Sequence, residues 1–170
     1  MPSAVTTVLL MLALMVASAS AQSLNREDMT ALCHNIQLQP CDGGEYRLND
    51  DSCVKMLPRQ LIFTDARRGC QMIGGDVVTV KNGEELHKLL CMMFKALPVR
   101  LHYWIGAERG PGGFHWIDGS GPLESSPWRE GQPDNFHHKE NCVWMNSGSW
   151  GPWNDGSCSV FNSVACQIPK

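Results

Sequence analysis

The eight cysteines constrain this fold more than any other feature of the chain. An even number of cysteines in a chain exported to an oxidising compartment predicts four disulfide bonds, although eight cysteines allow on the order of a hundred pairings. Zinc binding is disfavoured, because the sequence has no Cys-x-x-Cys and Cys33-His34 lacks a second pair at metal-ligand spacing. The cysteines are Cys33, Cys41, Cys53, Cys70, Cys91, Cys142, Cys158 and Cys166.

Residues 1–21 are predicted to be a signal peptide. Residues 5–16 are almost continuously apolar, and Ala19-Ser20-Ala21 has the small-x-small pattern of a cleavage site. This run is shorter than the roughly 20 apolar residues that span a bilayer, so no membrane insertion is expected. Cleavage before Gln22 would leave a secreted, extracellular protein that keeps all eight cysteines.

Composition and charge narrow the possible classes of protein. A chain of 170 residues fits one domain with a short appendage. The net charge of −3, with no cluster of lysine and arginine, argues against nucleic-acid binding. With 43% hydrophobic and 18% charged residues, the chain is typical of a folded globular protein and not of a disordered one.

Two helices are predicted in the first half of the chain. Apolar residues between positions 63 and 73 recur at steps of three and four, and Gly74-Gly75 supplies a helix stop. A second helix over residues 82–93 begins with a pair, Asn82 and Glu85, that is similar to a capping box.

The leader before the main domain is predicted to be irregular. Residues 22–40, which contain Cys33, form a polar leader with no clear hydrophobic period, and the main domain then spans residues 41–170. In the second predicted helix, Cys91 lies about 140° around the axis from the apolar Leu86. That position favours a bridge directed away from the core.

The second half alternates short strand-like segments with many turns, and it contains one long loop. Residues 118–141 are rich in Gly, Pro, Ser, Asp and Asn. A loop of this length without regular structure is uncommon in a compact domain and is usually functional. We therefore expect the functional site in this loop.

Side chains in and just after this loop offer the oxygen donors of a calcium site. Ca²⁺ takes about 6–8 oxygen ligands, whereas zinc prefers His and Cys. If Cys142 pairs with Cys158, the bridge draws two distant acidic segments together. Each short segment that carries these side chains is, taken alone, more often a turn. The prediction therefore depends on their joint placement around two cysteines. The donors are Gln132, Asp134, Glu140, Asn154 and Asp155.

At these residues the chain resembles the C-type lectin-like domain family, in its long form with an N-terminal hairpin bridge. The resemblance implies an α+β fold with two helices, two small antiparallel sheets and a long calcium-binding loop. It also implies the bridges Cys41–Cys53, Cys70–Cys166 and Cys142–Cys158. The matching motifs are Phe63-Thr64-x-Ala66-x3-Cys70, Trp104-Ile105-Gly106, Trp116-x-Asp118-Gly119-Ser120, Trp128-x3-Gln132-Pro133-Asp134, Glu140-x-Cys142 and Trp153-Asn154-Asp155-x2-Cys158.

The resemblance leaves Cys33 and Cys91 unassigned. They either pair within one chain or link two chains. Because a single lectin site binds a monosaccharide weakly, function usually demands several sites in one assembly. We therefore expect a homo-oligomer, either disulfide-linked or otherwise associated.

The resemblance also implies how the site would bind a ligand. In sugar-binding members, the positions that match the five donors hold one Ca²⁺, and two neighbouring hydroxyls of the sugar complete its shell. The Gln-Pro-Asp sequence is the galactose type, and Pro133 is expected to be cis. Phe136 is expected to pack on the sugar or to anchor the loop. The expected carbohydrate-binding residues are Gln132, Asp134, Phe136, Glu140 and Asn154.

A second, auxiliary calcium site of the family is expected to be weak or absent in this chain. Asn135 and Asn141 stand where carboxylates are often found in the family. The segment 107–113 offers only Glu108 as an acidic residue.

The resulting hypothesis is a secreted, calcium-dependent lectin for galactose- or N-acetylgalactosamine-type glycans on cell or microbial surfaces, acting as an agglutinating or innate-immune protein. The alternative is a structural or protein-interaction member of the same fold, of biomineral-matrix, ice-binding or venom type. An enzyme is not expected, because no Gly-x-Ser-x-Gly, His-Glu-x-x-His or catalytic carboxylate pair is present.

Overall fold

The computed structural model describes residues 24–43, 45–124 and 126–170. The expected signal peptide, residues 1–21, lies outside the described residues. The helices are α1 (Arg26–Cys33), α2 (Phe63–Gln71) and α3 (Gly83–Ala96). The strands are β1 (Tyr46–Arg47), β2 (Ser52–Leu61), β3 (Asp76–Val77), β4 (Tyr103–Gly110), β5 (Gly113–Trp116), β6 (Cys142–Met145), β7 (Trp153–Gly156) and β8 (Asn162–Pro169).

The strands form two antiparallel groups that a short parallel pairing joins into one mixed sheet. The main path runs β1-β2-β8-β4-β6-β7, with β3 beside β8 and β5 beside β4. The joint is the parallel pairing of β4 with β8, where Tyr103 faces Ser163 and Trp104 faces Val164. The expected α+β class is confirmed, and the two small sheets of the expectation are continuous with each other.

The two helices that the sequence predicts are present as α2 and α3. The side chain of Asn82 accepts a hydrogen bond from the backbone N–H of Glu85 at 2.9 Å, so this pair does begin α3. No helix in the described ranges is long and apolar enough to cross a membrane.

A third helix, α1, corrects the expectation of an irregular leader. The side chain of Asn25 accepts the backbone N–H groups of Glu27 and Asp28 at 2.7 and 3.0 Å, and the Asp28 carboxylate accepts the N–H of Asn25 in return. Only Met29 and Cys33, one turn apart, are buried. The hydrophobic period is therefore too sparse to recognise, and this reciprocal cap was the usable sequence signal.

Cys33 pairs with Cys91 within the chain, which is one of the two alternatives left open, and the bridge is buried, which corrects the expectation that Cys91 is directed away from the core. Both residues are buried, and in the part of the chain that the structure describes no cysteine is free. Cys91 does lie off the apolar stripe of α3, but α1 packs on that side of the helix. The disulfide therefore closes the interface between α1 and α3, and these two cysteines do not link two chains.

The remaining cysteines form the three bridges that the family resemblance implies: Cys41–Cys53, Cys70–Cys166 and Cys142–Cys158. The expectation of four disulfide bonds is thus confirmed. Cys70–Cys166 ties α2 to β8, and Cys142–Cys158 ties the start of β6, where the long loop ends, to the turn after β7.

The middle of the long loop is fixed against β7 by Trp153. Its indole ring is 2% exposed and meets the rings of Trp116 and Trp128 edge to face, at centroid distances of 5.9 and 6.2 Å. The backbone N–H of Arg129 donates to the carbonyl of Trp153, and the N–H of Trp153 donates to the carbonyl of Pro127, both at 2.8 Å. This contact sets where the loop leaves the core.

We expect the double variant Cys33→Ala, Cys91→Ala to keep its fold and to unfold at a lower denaturant concentration than the wild-type protein. The bridge spans 58 residues, for which the chain-entropy relation gives about 4 kcal/mol of stability. The matched double variant Cys41→Ala, Cys53→Ala opens a bridge of 12 residues, worth about 3 kcal/mol by the same relation. Urea unfolding measures both losses. A covalent dimer of the wild-type protein on non-reducing electrophoresis would contradict this assignment.

Candidate metal centre

The far part of the long loop is a tight, irregular turn. The Gln132–Pro133 peptide bond is cis, which is the isomer that the family resemblance implies. Asn135, His137 and His138 have backbone φ angles of 49°, 54° and 56°. These left-handed conformations reverse the chain within a few residues and bring Glu140 back beside Asp134.

Three carboxylates converge at this turn. One oxygen from each of Asp134, Glu140 and Asp155 lies within 4.8 Å of the others. Asp134 is exposed, Glu140 is half-buried and Asp155 is fully buried. The cluster therefore reaches from the sheet to the surface, with one open side.

The buried carboxylate of Asp155 organises the loop backbone. Its Oδ1 accepts the backbone N–H of Asp134 at 3.1 Å, and its Oδ2 accepts that of Asn135 at 3.0 Å. Oδ2 also accepts a hydrogen bond from Nη2 of Arg109 at 2.6 Å. An ionised acceptor strengthens each of these hydrogen bonds.

Glu140 closes the other side of the turn. Its Oε2 accepts the backbone N–H of Phe136 at 2.9 Å, and its own N–H donates to Oδ1 of Asn135 at 3.2 Å. Burial, together with the neighbouring carboxylates of Asp134 and Asp155, raises the pKa of Glu140 above its ordinary value despite the hydrogen bond from Phe136. The cluster thus holds more negative charge than its surroundings neutralise.

The other expected site residues lie around this cluster with different contacts. Oε1 of Gln132 accepts the backbone N–H of Asp134 at 3.2 Å, so this side chain lies beside the cluster. Nδ2 of Asn154 donates a hydrogen bond to the backbone carbonyl of Asp155. Its Oδ1 is then the side-chain atom that could bind a metal ion. Phe136 is 62% exposed and contacts the ring of His137, so it is not a buried anchor of the loop.

Arg109 and Asn135 hold the site together, and neither was identified as a functional residue from the sequence. Arg109 and Asn135 act through hydrogen bonds to residues at other positions along the chain. No sequence motif joins these positions, so motif spacing gave no signal for them. Glu108, the acid noted in the same segment, forms an ion pair with Arg67 of α2 at 3.3 Å. Its carboxylate is therefore directed towards α2 and not towards the loop.

The donor set fits a calcium ion. All the side-chain atoms that the cluster and its neighbours offer are carboxylate or amide oxygens, and hard oxygen donors in a flexible loop are the ligands that Ca²⁺ prefers. Three carboxylates against the single guanidinium of Arg109 leave two negative charges uncompensated. A divalent cation would neutralise them.

Comparison with known proteins agrees with the fold. The sequence profile described as "Lectin C-type domain" matches residues 59–168. The chain belongs to the C-type lectin domain family. Proteins of this family typically bind Ca²⁺ and are generally not enzymes.

Relatives within the family differ in what their names describe. The C-type isolectin Sp-CL4 of Scorpaena plumieri is 30% identical over 135 residues, covering 79% of this chain and 92% of the relative. The mouse scavenger receptor C-type lectin carbohydrate-recognition domain superposes with a TM-score of 0.65 at 26% identity, covering 76% and 97% of the two chains. Herring type II antifreeze protein has a TM-score of 0.62 at 25% identity, covering 76% and 99%. Membership therefore establishes the fold, and the ligand must be argued from the site.

We expect Asp155→Ala to destabilise the metal-free protein and Asp134→Ala to leave its stability nearly unchanged. Removing the buried carboxylate leaves Nη2 of Arg109 and the backbone N–H of Asn135 without their acceptor and takes one of two acceptors from the N–H of Asp134, which costs about 2 kcal/mol or more. The exposed Asp134 carboxylate gives a change within about 0.5 kcal/mol. Thermal and urea unfolding in chelator measure both. Equal effects of the two substitutions would contradict the anchoring role of Asp155.

Proposed function

We propose that this chain is a secreted, calcium-dependent lectin that binds galactose- or N-acetylgalactosamine-type glycans. The observation that carries the proposal is the convergence of Asp134, Glu140 and Asp155 beside Gln132-Pro133 at the open end of the loop. Oxygen donors of this number and charge suit Ca²⁺. The sequence Gln-Pro-Asp is what favours galactose over mannose.

The proposed ligands divide between the loop and the sheet. Asp155 and Asn154 lie on β7, which is paired along its length with β6, so their positions are fixed before any ligand arrives. Gln132, Asp134 and Glu140 lie on the loop, where backbone hydrogen bonds to Asp155 and Glu140 shape the turn. Bound calcium would supply a positive centre at which two adjacent hydroxyl oxygens dock.

The residues of the site would distinguish hydroxyl geometry by hydrogen-bond direction. A carboxylate only accepts a hydrogen bond, whereas an amide also donates one. With the amide at Gln132 and the acid at Asp134, a hydroxyl near Asp134 must donate and a hydroxyl near Gln132 is offered an N–H. Exchanging acid and amide reverses this requirement. The present order, with the amide at Gln132 and the acid at Asp134, is the basis for expecting a galactose-type diol.

Phe136 would contact the apolar face of the sugar. Its ring is 62% exposed, and its backbone N–H is held by Glu140, one of the proposed ligands. Exposing a large apolar ring to solvent is unfavourable, so an exposed aromatic ring beside a polar site is typical of a binding surface. The high exposure of the ring favours the sugar-contacting role over the anchoring role.

Binding alone, without catalysis, is the proposed activity, on cell or microbial surfaces outside the cell. Recognition of a multivalent surface requires several sites in one assembly, because a single site of this kind is weak. We therefore propose a homo-oligomer, as a lectin that agglutinates or takes part in innate defence. Because Cys33 and Cys91 bond to each other, this association would be noncovalent.

A direct test of the metal site is calorimetric titration of chelator-treated protein with calcium. We expect saturable binding at the cluster, and Glu140→Gln or Asp134→Asn should weaken it about tenfold or more, because each removes a unit charge next to a divalent cation. Glu124→Gln, an exposed carboxylate elsewhere in the loop, is the matched control and should bind as the wild type does. The absence of any heat at millimolar calcium would reject the proposed function.

The sugar preference is tested by affinity chromatography on galactose and mannose resins. Wild-type protein should be retained on galactose in calcium and released by chelator. The double variant Gln132→Glu, Asp134→Asn should move retention towards mannose, because it exchanges the accepting and donating sides of the diol site. Retention on galactose that chelator does not reverse, or a variant with unchanged preference, would be evidence against the proposal.

A second candidate function is binding of a protein or another non-sugar surface through the same fold. The structural similarity to herring type II antifreeze protein supports keeping this candidate. A panel of immobilised glycans, probed with and without calcium, separates the two functions. Calcium binding in the absence of any glycan binding would favour this second candidate.

A further inference from the structure

Arg109 connects three separate parts of the site. Its Nη2 donates to Oδ2 of Asp155 on β7 at 2.6 Å, and its Nε donates to the backbone carbonyl of Glu140 at 2.9 Å. Its guanidinium carbon lies 4.3 Å from the ring centroid of Phe114 on β5. The planar fork of arginine allows all three contacts at once, which the single ammonium of lysine does not.

The loop backbone depends on the carboxylate that Arg109 holds. Asp155 is fully buried and accepts the N–H groups of Asp134 and Asn135 as well as the guanidinium. A buried carboxylate whose cationic partner is removed is strongly disfavoured. Without Arg109, the carboxylate of Asp155 would also face those of Asp134 and Glu140 without its ion-pair partner.

We propose that Arg109 is a positioning residue whose guanidinium serves as a built-in cation and keeps the turn at residues 132–140 in its ligand-binding shape before calcium arrives. The inference rests on the proposed function, since the turn it holds is the proposed calcium site. It goes further in assigning the metal-free shape of that site to one side chain outside the loop. A site that is ordered in advance binds without paying again for the ordering of its ligands.

The test compares backbone amide hydrogen exchange in wild type and Arg109→Met, each in chelator and in millimolar calcium. Methionine keeps an apolar stem against Phe114 and removes both the charge and the hydrogen bonds. In chelator, the loop peptides carrying the amides of Asp134, Asn135 and Phe136 should exchange about tenfold faster or more in the variant, because charge-assisted hydrogen bonds of this kind are lost. Calcium should restore most of the protection, because the ion replaces the missing positive charge.

Two further variants keep the result interpretable. Arg68→Met removes an exposed arginine of α2 that pairs with Asp65, and its loop exchange should equal that of wild type. Arg109→Lys keeps the charge and loses the fork, so it should exchange at an intermediate rate, and it gives the same comparison if the methionine variant does not fold.

The outcomes of the experiment test the role of Arg109 separately from the proposed calcium-dependent function. Unchanged loop exchange in chelator would overturn the role of Arg109, as would an equal acceleration in β2 and β8, far from the site. Acceleration that calcium does not reverse, in a protein that titrates with calcium, would overturn it as well. If wild type fails to bind calcium, the proposed function fails, while the comparison in chelator still decides what Arg109 does.

Discussion

The buried carboxylate of Asp155 is the contact on which the loop depends. Its strand position is fixed by pairing with Val143, and the next residue, Gly156, has no side chain because a Cβ there would collide with the ring of Trp144. The loop has little regular pairing of its own. The shape of the loop therefore depends on the Asp155 carboxylate, which β7 holds in place. This carboxylate accepts hydrogen bonds from the backbone N–H groups of Asp134 and Asn135.

A buried anion in this position links stability to ligand binding. Burying a carboxylate costs free energy unless it is paired and hydrogen-bonded, and Asp155 meets that requirement with a guanidinium and two amides. The nearby carboxylates of Asp134 and Glu140 have no equivalent partner among the described contacts. Burial, and after it the neighbouring carboxylates, raise the pKa of Glu140 above its ordinary value. The closeness of these carboxylates is what would attract a divalent cation.

The sequence predicted the parts of the fold that depend on local pattern. The periods of α2 and α3 follow from apolar side chains a turn apart, and the family resemblance implied three of the four bridges. The helix α1 was missed because it buries only Met29 and Cys33 among polar residues. The Cys33–Cys91 bridge was missed for a related reason. A helical period gives the angle of Cys91 relative to the apolar stripe, but it does not tell which element packs on that side.

Arg109 was beyond sequence reasoning because its place depends on strand register. Ile105 faces Val143, but Glu108 faces Cys142, so β4 carries two more residues than β6 across this interval. An unbroken ladder would place Ala107 beside Asn141, whereas the shift places Arg109 there, and its N–H donates to the carbonyl of Asn141 at 2.9 Å. Because the shift is an even number of residues, Arg109 stays on the same face of the sheet as Ile105 and Ala107. The register shift in β4 thus places the guanidinium of Arg109 beside the loop. No local pattern in the sequence predicts this shift.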